Sequence, residues 1–283
     1  RLSSILSAYP SLRVGVVGDF FLDAYFDCEP ALNEISLETG RTCYQVVRHR
    51  RQAGAAGTVA ANLRALGVGA VEAVGYCGDD GEGYELRRAM QTLGLHTSGF
   101  YTTPDRFTPT YGKPCYLDRN KNGRPEIREL ERLDTKNRRP TPRALQDEII
   151  AHIHCRLAHW DAVILLDQVT EANCGVLTSR VRSSIAGALS DHPRCIALAD
   201  SRERIGLFKG AILKPNQQEA IKAVGHRGRQ SLKASQEHAK TLSVRTGHPV
   251  FLTLGAKGIL IAEGDVVRRV PAIRAASPID IVG

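Results

Sequence analysis

The sequence predicts an α/β fold in which helices cover both faces of a mainly parallel sheet and a small β lid is attached. Three observations indicate this. A buried strand at 13–19 ends in a turn, and strand-like apolar runs then alternate with helical segments through the second half of the chain. Two polar segments, near 24–52 and 104–141, interrupt the alternation. We therefore expect one domain over 1–283, with these two insertions forming the lid.

Each element follows from local periodicity and from glycine or proline at its ends. In the first half, the pattern predicts a helix over 54–66, a strand over 71–76 and a helix over 83–93. In the second half, it predicts helices over 142–157, near 172–188, near 216–224 and over 231–246. Strands are predicted between them over 162–166, 195–199, 211–213 and 250–254, followed by a hairpin over 258–270.

Composition restricts the function classes. No run approaches the roughly 18–20 apolar residues that span a bilayer, and residues 1–10 lack a secretory signal, so we expect a cytoplasmic protein without a membrane partner. The net charge of +8 suits phosphorylated ligands, but aromatic residues at 6% are too sparse for a base-stacking nucleic-acid surface. The cluster Arg48–Arg51 is either a solvated face or a phosphate contact.

The seven cysteines show no CxxC spacing, which argues against a disulfide framework or a zinc knuckle. His152, Cys155 and His159 share one face of a predicted helix. They are either helix surface or part of a metal site that needs a further ligand.

Polar residues cluster where the predicted strands end. In parallel sheets, ligands bind beyond the carboxyl ends of the strands. The residues at these positions are Asp19, Asp23, Asp167, Asp200, Asn216, Glu219, Gly255 and Gly258. There is no GxxxxGK[ST] loop and no clean GxGxxG motif, and Gly15 and Gly18 lie inside a strand, where we expect them to serve packing.

Four stretches resemble the ribokinase/PfkB carbohydrate kinase family: VVGDFFLDAYF (16–26), AGAAGTVAANLRALG (53–67), LKPNQQEA (213–220) and LTLGAKGILI (252–261). The first of these and RLDTKN (132–137) are most similar to the heptose-phosphate kinase domain of ADP-heptose synthesis enzymes. The resemblance implies a ribokinase-like three-layer sandwich. It also implies ATP-dependent phosphorylation of a hydroxyl on a sugar or sugar phosphate, such as heptose 7-phosphate, with Mg²⁺ and with K⁺ as a further candidate ion.

By this resemblance, five residues would bind the substrate: Asp19, Asp23, Gly54, Thr58 and Asp167. A carboxylate suits the role because it accepts from two adjacent hydroxyls. The chain departs from the family pattern at Ala55, where the family has a second glycine, and at Thr58, where it has asparagine. The alternatives are that the two early aspartates cap a turn and that 53–67 is a closely packed helix.

The resemblance also assigns nucleotide-binding residues: Lys214, Asn216, Thr253, Gly255, Lys257 and Gly258. Glu219 would bind Mg²⁺ through water, because Mg²⁺ retains several waters and prefers carboxylate oxygen. Asn216 is alternatively a simple N-cap. The stretch that contains Asp200 and Arg202 resembles the family's segment near the transferring phosphate.

The last residues, SPIDIVG (277–283), resemble the start of the family's final signature. Asp280 would belong to a monovalent-cation loop, and Gly283 would lie at the edge of the anion hole. The aspartate that acts as catalytic base is expected just beyond Gly283, so we expect the natural protein to continue.

Two other function classes stay open. One is a sugar- or nucleotide-binding protein of this fold that has lost catalysis, and the other is a nucleoside or vitamin kinase. A homodimer formed through the lid is the expected assembly.

Overall fold

The computed structural model describes residues 2–119, 125–225 and 231–273. The helices in these ranges are α1 (Leu2–Leu6), α2 (Ala56–Ala65), α3 (Gly81–Thr92), α4 (Arg143–Arg156), α5 (Ser179–Asp191), α6 (Gln217–Val224) and α7 (Leu232–Thr246). The first eight strands are β1 (Arg13–Gly18), β2 (Phe20–Cys28), β3 (Glu34–Ile35), β4 (Thr42–Cys43), β5 (Val46–Ala55), β6 (Ala70–Gly78), β7 (His96–Thr103) and β8 (Thr110–Arg119). The remaining strands are β9 (Pro125–Glu129), β10 (Leu133–Thr135), β11 (Ala162–Asp167), β12 (Ile196–Ser201), β13 (Ile212–Leu213), β14 (Val250–Thr253), β15 (Ile259–Glu263) and β16 (Val266–Val270).

Nine strands form the main sheet, in the spatial order β16-β15-β14-β13-β12-β11-β1-β6-β7. The strands from β14 to β7 pair in parallel, and β15 and β16 add an antiparallel hairpin at one side. The mainly parallel sheet predicted from the alternation of strands and helices is therefore confirmed. The parallel strands end at one common edge, which gathers the polar residues that follow them.

Helices cover both faces of the main sheet. Successive side chains of β1 therefore point into two different apolar cores. Val14 and Val16 lie in the core beneath α2 and α3, whereas Val17 lies in the core beneath α4 to α7. Gly15 faces Trp160, and a Cβ at Gly15 would come within 2.7 Å of the indole ring. The predicted packing role of Gly15 is thus confirmed, and the architecture is a three-layer sandwich.

A second, small sheet has the order β10-β8-β2-β5, with β9 paired to β8. We call it the small sheet; most of it comes from the two polar insertions. Strand alternation sends Leu22 and Ala24 into the core, while Asp23, Tyr25 and Lys113 lie on the opposite face. This polar face begins next to the carboxyl end of β1, because β2 starts two residues after β1 ends.

Two helix boundaries differ from the predictions. The helix expected near 172–188 begins at Ser179, because residues 168–178, the β11–α5 loop, are bonded elsewhere and Thr178 caps the helix by accepting from the Val181 N–H at 3.2 Å. The helix expected over 54–66 begins at Ala56, since the two residues before it complete β5. None of the described helices has the length and apolar character that a membrane span requires.

Candidate active site

Asp19 directly follows β1 and is 4% exposed. Its Oδ2 accepts hydrogen bonds from the backbone N–H groups of Gln168 at 2.8 Å and Val169 at 3.1 Å, and its Oδ1 accepts one from Val176 at 2.7 Å. Burial raises the pKa of Asp19 to about 6; the three backbone donors oppose this rise, and the nearby Asp167 adds to it. The carboxylate thus bonds to the β11–α5 loop, and its role in substrate binding stays a prediction.

Asp167 ends β11 and is also buried. Ser201 donates its hydroxyl to Asp167 Oδ2 at 2.6 Å. Arg204 forms a two-pronged ion pair, from Nε to Oδ2 at 3.0 Å and from Nη2 to Oδ1 at 2.7 Å, and it also donates to the Thr170 carbonyl. This charge is therefore compensated inside the protein, and a substrate contact by Asp167 likewise stays a prediction.

Asp23 lies on the polar face of the small sheet, where the structure brings it together with Gly54. A Cβ at Gly54 would come within 2.6 Å of Asp23 Oδ2, so only glycine lets the carboxylate lie across β5. Lys113 Nζ lies 3.0 Å from Asp23 Oδ1 and donates to the Tyr25 hydroxyl at 3.2 Å. The Asp23 side chain is 18% exposed, which leaves it open to a ligand.

A cavity lies where the small sheet meets the β11–α5 loop. We call it the strand-end cavity; it is lined by Phe21, Pro109, Tyr111, Lys136, Asn137, Gln168, Val169, Thr170, Glu171 and Cys174. Tyr111 is the register partner of Asp23 on the neighbouring strand. The Arg132 guanidinium stacks over the Tyr111 ring at 4.2 Å. The cavity therefore adjoins the Asp23 carboxylate and has cationic side chains close to it.

Ala55 precedes α2 in a backbone conformation that favours glycine, with φ 53° and ψ −114°. The N–H of Ala56 donates to the Asp19 carbonyl at 3.0 Å, so the chain turns sharply here between β5 and α2. Thr58 is half-buried in the first turn of α2. The alanine that departs from the family pattern thus occupies a strained position beside the site.

Replacing Ala55 by glycine is expected to raise the free energy of unfolding by about 1 kcal/mol. Relief of roughly 1–3 kcal/mol of backbone strain outweighs the added entropy of the unfolded chain. Denaturant titration measures the change. Ala61→Gly, inside α2, makes the same substitution without strain to relieve and is expected to lower stability by about 1 kcal/mol. Equal losses for the two variants would contradict the strained conformation.

Asn216 and Glu219 form a reciprocal cap at the start of α6. Asn216 Oδ1 accepts from the Glu219 N–H at 2.9 Å. Glu219 Oε2 accepts from the Asn216 N–H at 2.7 Å, and its Oε1 accepts from Asn216 Nδ2 at 2.8 Å. Burial raises the pKa of Glu219; the Asn216 N–H opposes this rise, and Asp200 adds to it. Asn216 is thus an N-cap, and its cap holds an acidic oxygen pair in place.

Arg202 bonds to a residue of the strand-end cavity, and its charge also acts on Glu219 at the start of α6. Its Nε donates to Gln168 Oε1 at 3.1 Å. Burial raises the pKa values of both Tyr111 and Glu219, and the charge of Arg202 opposes the rise in each. Beside it, Lys214 Nζ lies 2.7 Å from Asp200 Oδ2. The cation of Arg202 therefore acts on both halves of the site.

The predicted nucleotide loop lies beside the start of α6. Thr253, at the end of β14, pairs with Asn216 in a parallel bridge. Gly255 and Gly258 both have positive φ, and a Cβ at Gly258 would come within 2.1 Å of the Val270 carbonyl oxygen, so only glycine fits there. Lys257 is exposed between them. Thr253 therefore lies beside Asn216, and the nucleotide-binding role of the group stays a prediction. Asp280 and Gly283 lie outside the described residues.

Two candidate functional residues, Lys113 and Arg204, were not predicted from the sequence. Lys113 meets Asp23 across 90 positions of sequence, and no local pattern indicates that pairing. Arg204 lies two residues beyond Arg202, in a stretch already singled out, but only the fold shows that it pairs with Asp167.

Residues 16–283 match the sequence profile of the pfkB family carbohydrate kinases. The chain belongs to this family. It is 31% identical over 224 residues to the bifunctional protein HldE of Wolinella succinogenes, a match that covers 78% of this chain and 44% of that protein. It is 32% identical over 226 residues to the D-beta-D-heptose 7-phosphate kinase of Bordetella bronchiseptica, covering 78% and 66% of the two chains. The chain thus spans less than half the length of the first relative.

The fold is also shared with solved structures. Ribokinase from Giardia lamblia superposes with a TM-score of 0.63 at 16% identity, covering 95% of this chain and 78% of that one. The predicted family and the ribokinase-like fold are therefore both confirmed.

Proposed function

We propose that this protein transfers the γ-phosphoryl group of ATP to a hydroxyl of a sugar phosphate, with heptose 7-phosphate as the leading acceptor. Membership of a carbohydrate kinase family supports the reaction class. The name of the Bordetella relative supports the acceptor. The observation that carries the proposal is the position of Arg202, which donates to Gln168 in the cavity wall at 3.1 Å and whose charge also opposes the rise in the pKa of Glu219 at the start of α6.

On the acceptor side, Asp23 would accept hydrogen bonds from sugar hydroxyls, since an ionised carboxylate is a strong acceptor for two neighbouring O–H groups. Lys113 Nζ lies 3.0 Å from Oδ1 and orients this carboxylate. Lys136 lines the cavity and Arg132 stacks on its Tyr111 wall. These cations suit an acceptor that itself carries a phosphate.

On the nucleotide side, the residues present fit Mg²⁺. The negative charge of Asp200 adds to the rise in the pKa of Glu219, and a divalent cation would offset this repulsion. Each Glu219 oxygen accepts one hydrogen bond from Asn216 and retains a lone pair for a metal-bound water. When bound, Mg²⁺ neutralises charge on the nucleotide phosphates. Asn216 orients Glu219 through hydrogen bonds to both of its carboxylate oxygens.

The direct test measures ADP formation by the full-length protein with ATP, Mg²⁺ and a panel of acceptors: heptose 7-phosphate, fructose 6-phosphate, ribose and a nucleoside. We expect the highest kcat/KM with heptose 7-phosphate. A preference for the nucleoside would move the acceptor class to nucleosides. If calorimetry detects sugar binding but no acceptor yields ADP, the protein is a binding protein, an alternative that the departures at Ala55 and Thr58 favour.

Changing Glu219 to glutamine is expected to lower kcat by about 10–100-fold and to raise the Mg²⁺ concentration needed for half-maximal rate. Glutamine preserves the cap, because an N3 glutamine also accepts from the N-cap N–H. The thermal midpoint should therefore change little. Glu237→Gln on the exposed face of α7 is the matched control. An unchanged Mg²⁺ requirement in the Glu219 variant would remove this residue from the metal site.

Two further parts of the proposal rest on the family resemblance. Asp280, which lies outside the described residues, would contribute to a K⁺ loop, and two copies would pair through the small sheet. Assays with K⁺ replaced by Na⁺ test the first, and sedimentation equilibrium tests the second.

A further inference from the structure

Two buried charges of opposite sign hold the β11–α5 loop. The anion is Asp19, whose two oxygens accept the N–H groups of Gln168, Val169 and Val176. These donors come from both ends of the loop segment 168–176. A Cβ at Gly175 would come within 2.5 Å of Asp19 Oδ1, so the loop backbone closes directly over the carboxylate.

The cation is Arg106, which is 6% exposed and lies in the segment that enters the small sheet. None of the carboxylates in the described parts of the chain forms an ion pair with Arg106; its guanidinium is bonded mainly to carbonyls. Nη2 donates to the Cys174 carbonyl at 2.7 Å, and Nη1 donates to the Arg139 carbonyl at 2.6 Å. Arg106 thereby ties the loop to the segment by which the chain leaves the small sheet.

Tyr76 of β6 contacts Arg106 and is affected by the charge of Asp19. Its hydroxyl donates to the Cys174 carbonyl at 3.1 Å and accepts from Arg106 Nη2 at 3.3 Å. Burial raises the pKa of Tyr76, Arg106 opposes this rise and Asp19 adds to it. Both charges therefore act on one phenol, beneath one loop.

We propose that Asp19 and Arg106 are positioning residues that hold residues 168–176 against the small sheet and so set the width of the strand-end cavity. The loop supplies Gln168, Val169, Thr170, Glu171 and Cys174 to the cavity wall. Arg106 fixes the loop to the small sheet's exit segment, and Asp19 fixes it to the end of β1. Asp19 accordingly acts on the acceptor through the loop and does not contact it.

The first arm of the test is independent of catalysis. Hydrogen–deuterium exchange is compared in the unaltered protein, Asp19→Asn, Arg106→Lys and the control Asp161→Asn, which makes the same change at the opposite edge of the main sheet. Asparagine at position 19 replaces one accepting oxygen by an NH₂ group, which cannot accept a hydrogen bond from the N–H groups of the loop. We expect exchange over 168–176 to accelerate at least about tenfold in the first two variants, with β11 and α5 unchanged.

Unchanged exchange over 168–176, or equal acceleration throughout the chain, would overturn the proposal. If Asp19→Asn does not fold, Gly175→Ala provides the same comparison, because its methyl group would push the loop off Asp19.

The second arm rests on the proposed function. The KM for the sugar phosphate should rise at least about tenfold in Asp19→Asn and Arg106→Lys, while the KM for ATP stays constant. A fall in kcat with both KM values constant would contradict positioning of the acceptor. If the unaltered protein phosphorylates no acceptor, the proposed function fails, and the exchange arm alone decides whether the two charges hold the loop.

Discussion

Replacement of Glu72 by alanine is expected to lower the free energy of unfolding by about 3–5 kcal/mol. Glu72 is buried in β6, and its Oε1 accepts from Ser98 at 3.1 Å and contacts His152 Nε2 at 2.8 Å. Its Oε2 accepts from Arg156 Nε and Trp160 Nε1, both at 2.9 Å. Alanine would leave these four groups without their shared acceptor, and chemical denaturation measures the loss.

Acid titration separates the charge of Glu72 from its packing. Burial alone would raise the pKa of Glu72, but hydrogen bonds from Trp160, His152 and Arg156 outweigh it and hold the pKa below the ordinary 4.5. The stabilisation that ionised Glu72 provides is therefore fully present above pH 4.5. It is lost as the pH falls through the lowered pKa of the folded state. The alanine variant should show a shallower loss of stability in that window.

A matched control for this prediction is Glu237→Ala on the surface of α7, which is expected to change stability by less than about 0.5 kcal/mol. Glu72 lies near the amino end of β6, whereas the candidate site lies at the carboxyl ends of the parallel strands. The kcat of the folded variant should therefore not change. A Glu72→Ala loss no larger than that of the control would show that the four contacts do not stabilise the fold.

Exchange of Asp23 for asparagine is expected to lower kcat/KM for the sugar phosphate by about 10²–10⁴-fold. Two hydrogen bonds from hydroxyls to a charged acceptor contribute roughly 1.5–3 kcal/mol each, and about 1.4 kcal/mol corresponds to tenfold. Asparagine has nearly the same shape and retains an oxygen for Lys113, so the fold should persist. Steady-state kinetics with each substrate varied in turn measures the effect, which should be absent from the KM for ATP.

Asp118→Asn provides the comparison within the same sheet, because it makes the same chemical change in β8 seven residues beyond Tyr111, the register partner of Asp23. Its kinetics should match those of the unaltered protein. Similar losses in both variants would indicate a general effect of charge on the small sheet, and Asp23 would then be removed from the acceptor site.

The sequence alone determined features that depend on neighbouring residues. Alternating strand and helix periods predicted the parallel sheet, because each period specifies which side of an element is buried. The cap formed by Asn216 and Glu219 was readable for the same reason, since its partners lie three residues apart. The family signatures also placed Gly54, Gly255 and Gly258, at which a side chain would clash or the backbone needs positive φ.

Only the tertiary structure decided how two similar residues differ in burial and in partners. Asp19 and Asp23 are four positions apart and look equivalent in the sequence. The fold buries Asp19 beneath a loop that begins 149 residues away and leaves Asp23 open beside Lys113. Sheet pairing and loop closure bring these partners together, and no periodic pattern in the sequence indicates either contact. The residue types of the site are therefore local information, whereas the burial of Asp19 beneath the loop and the exposure of Asp23 beside Lys113 arise only on folding.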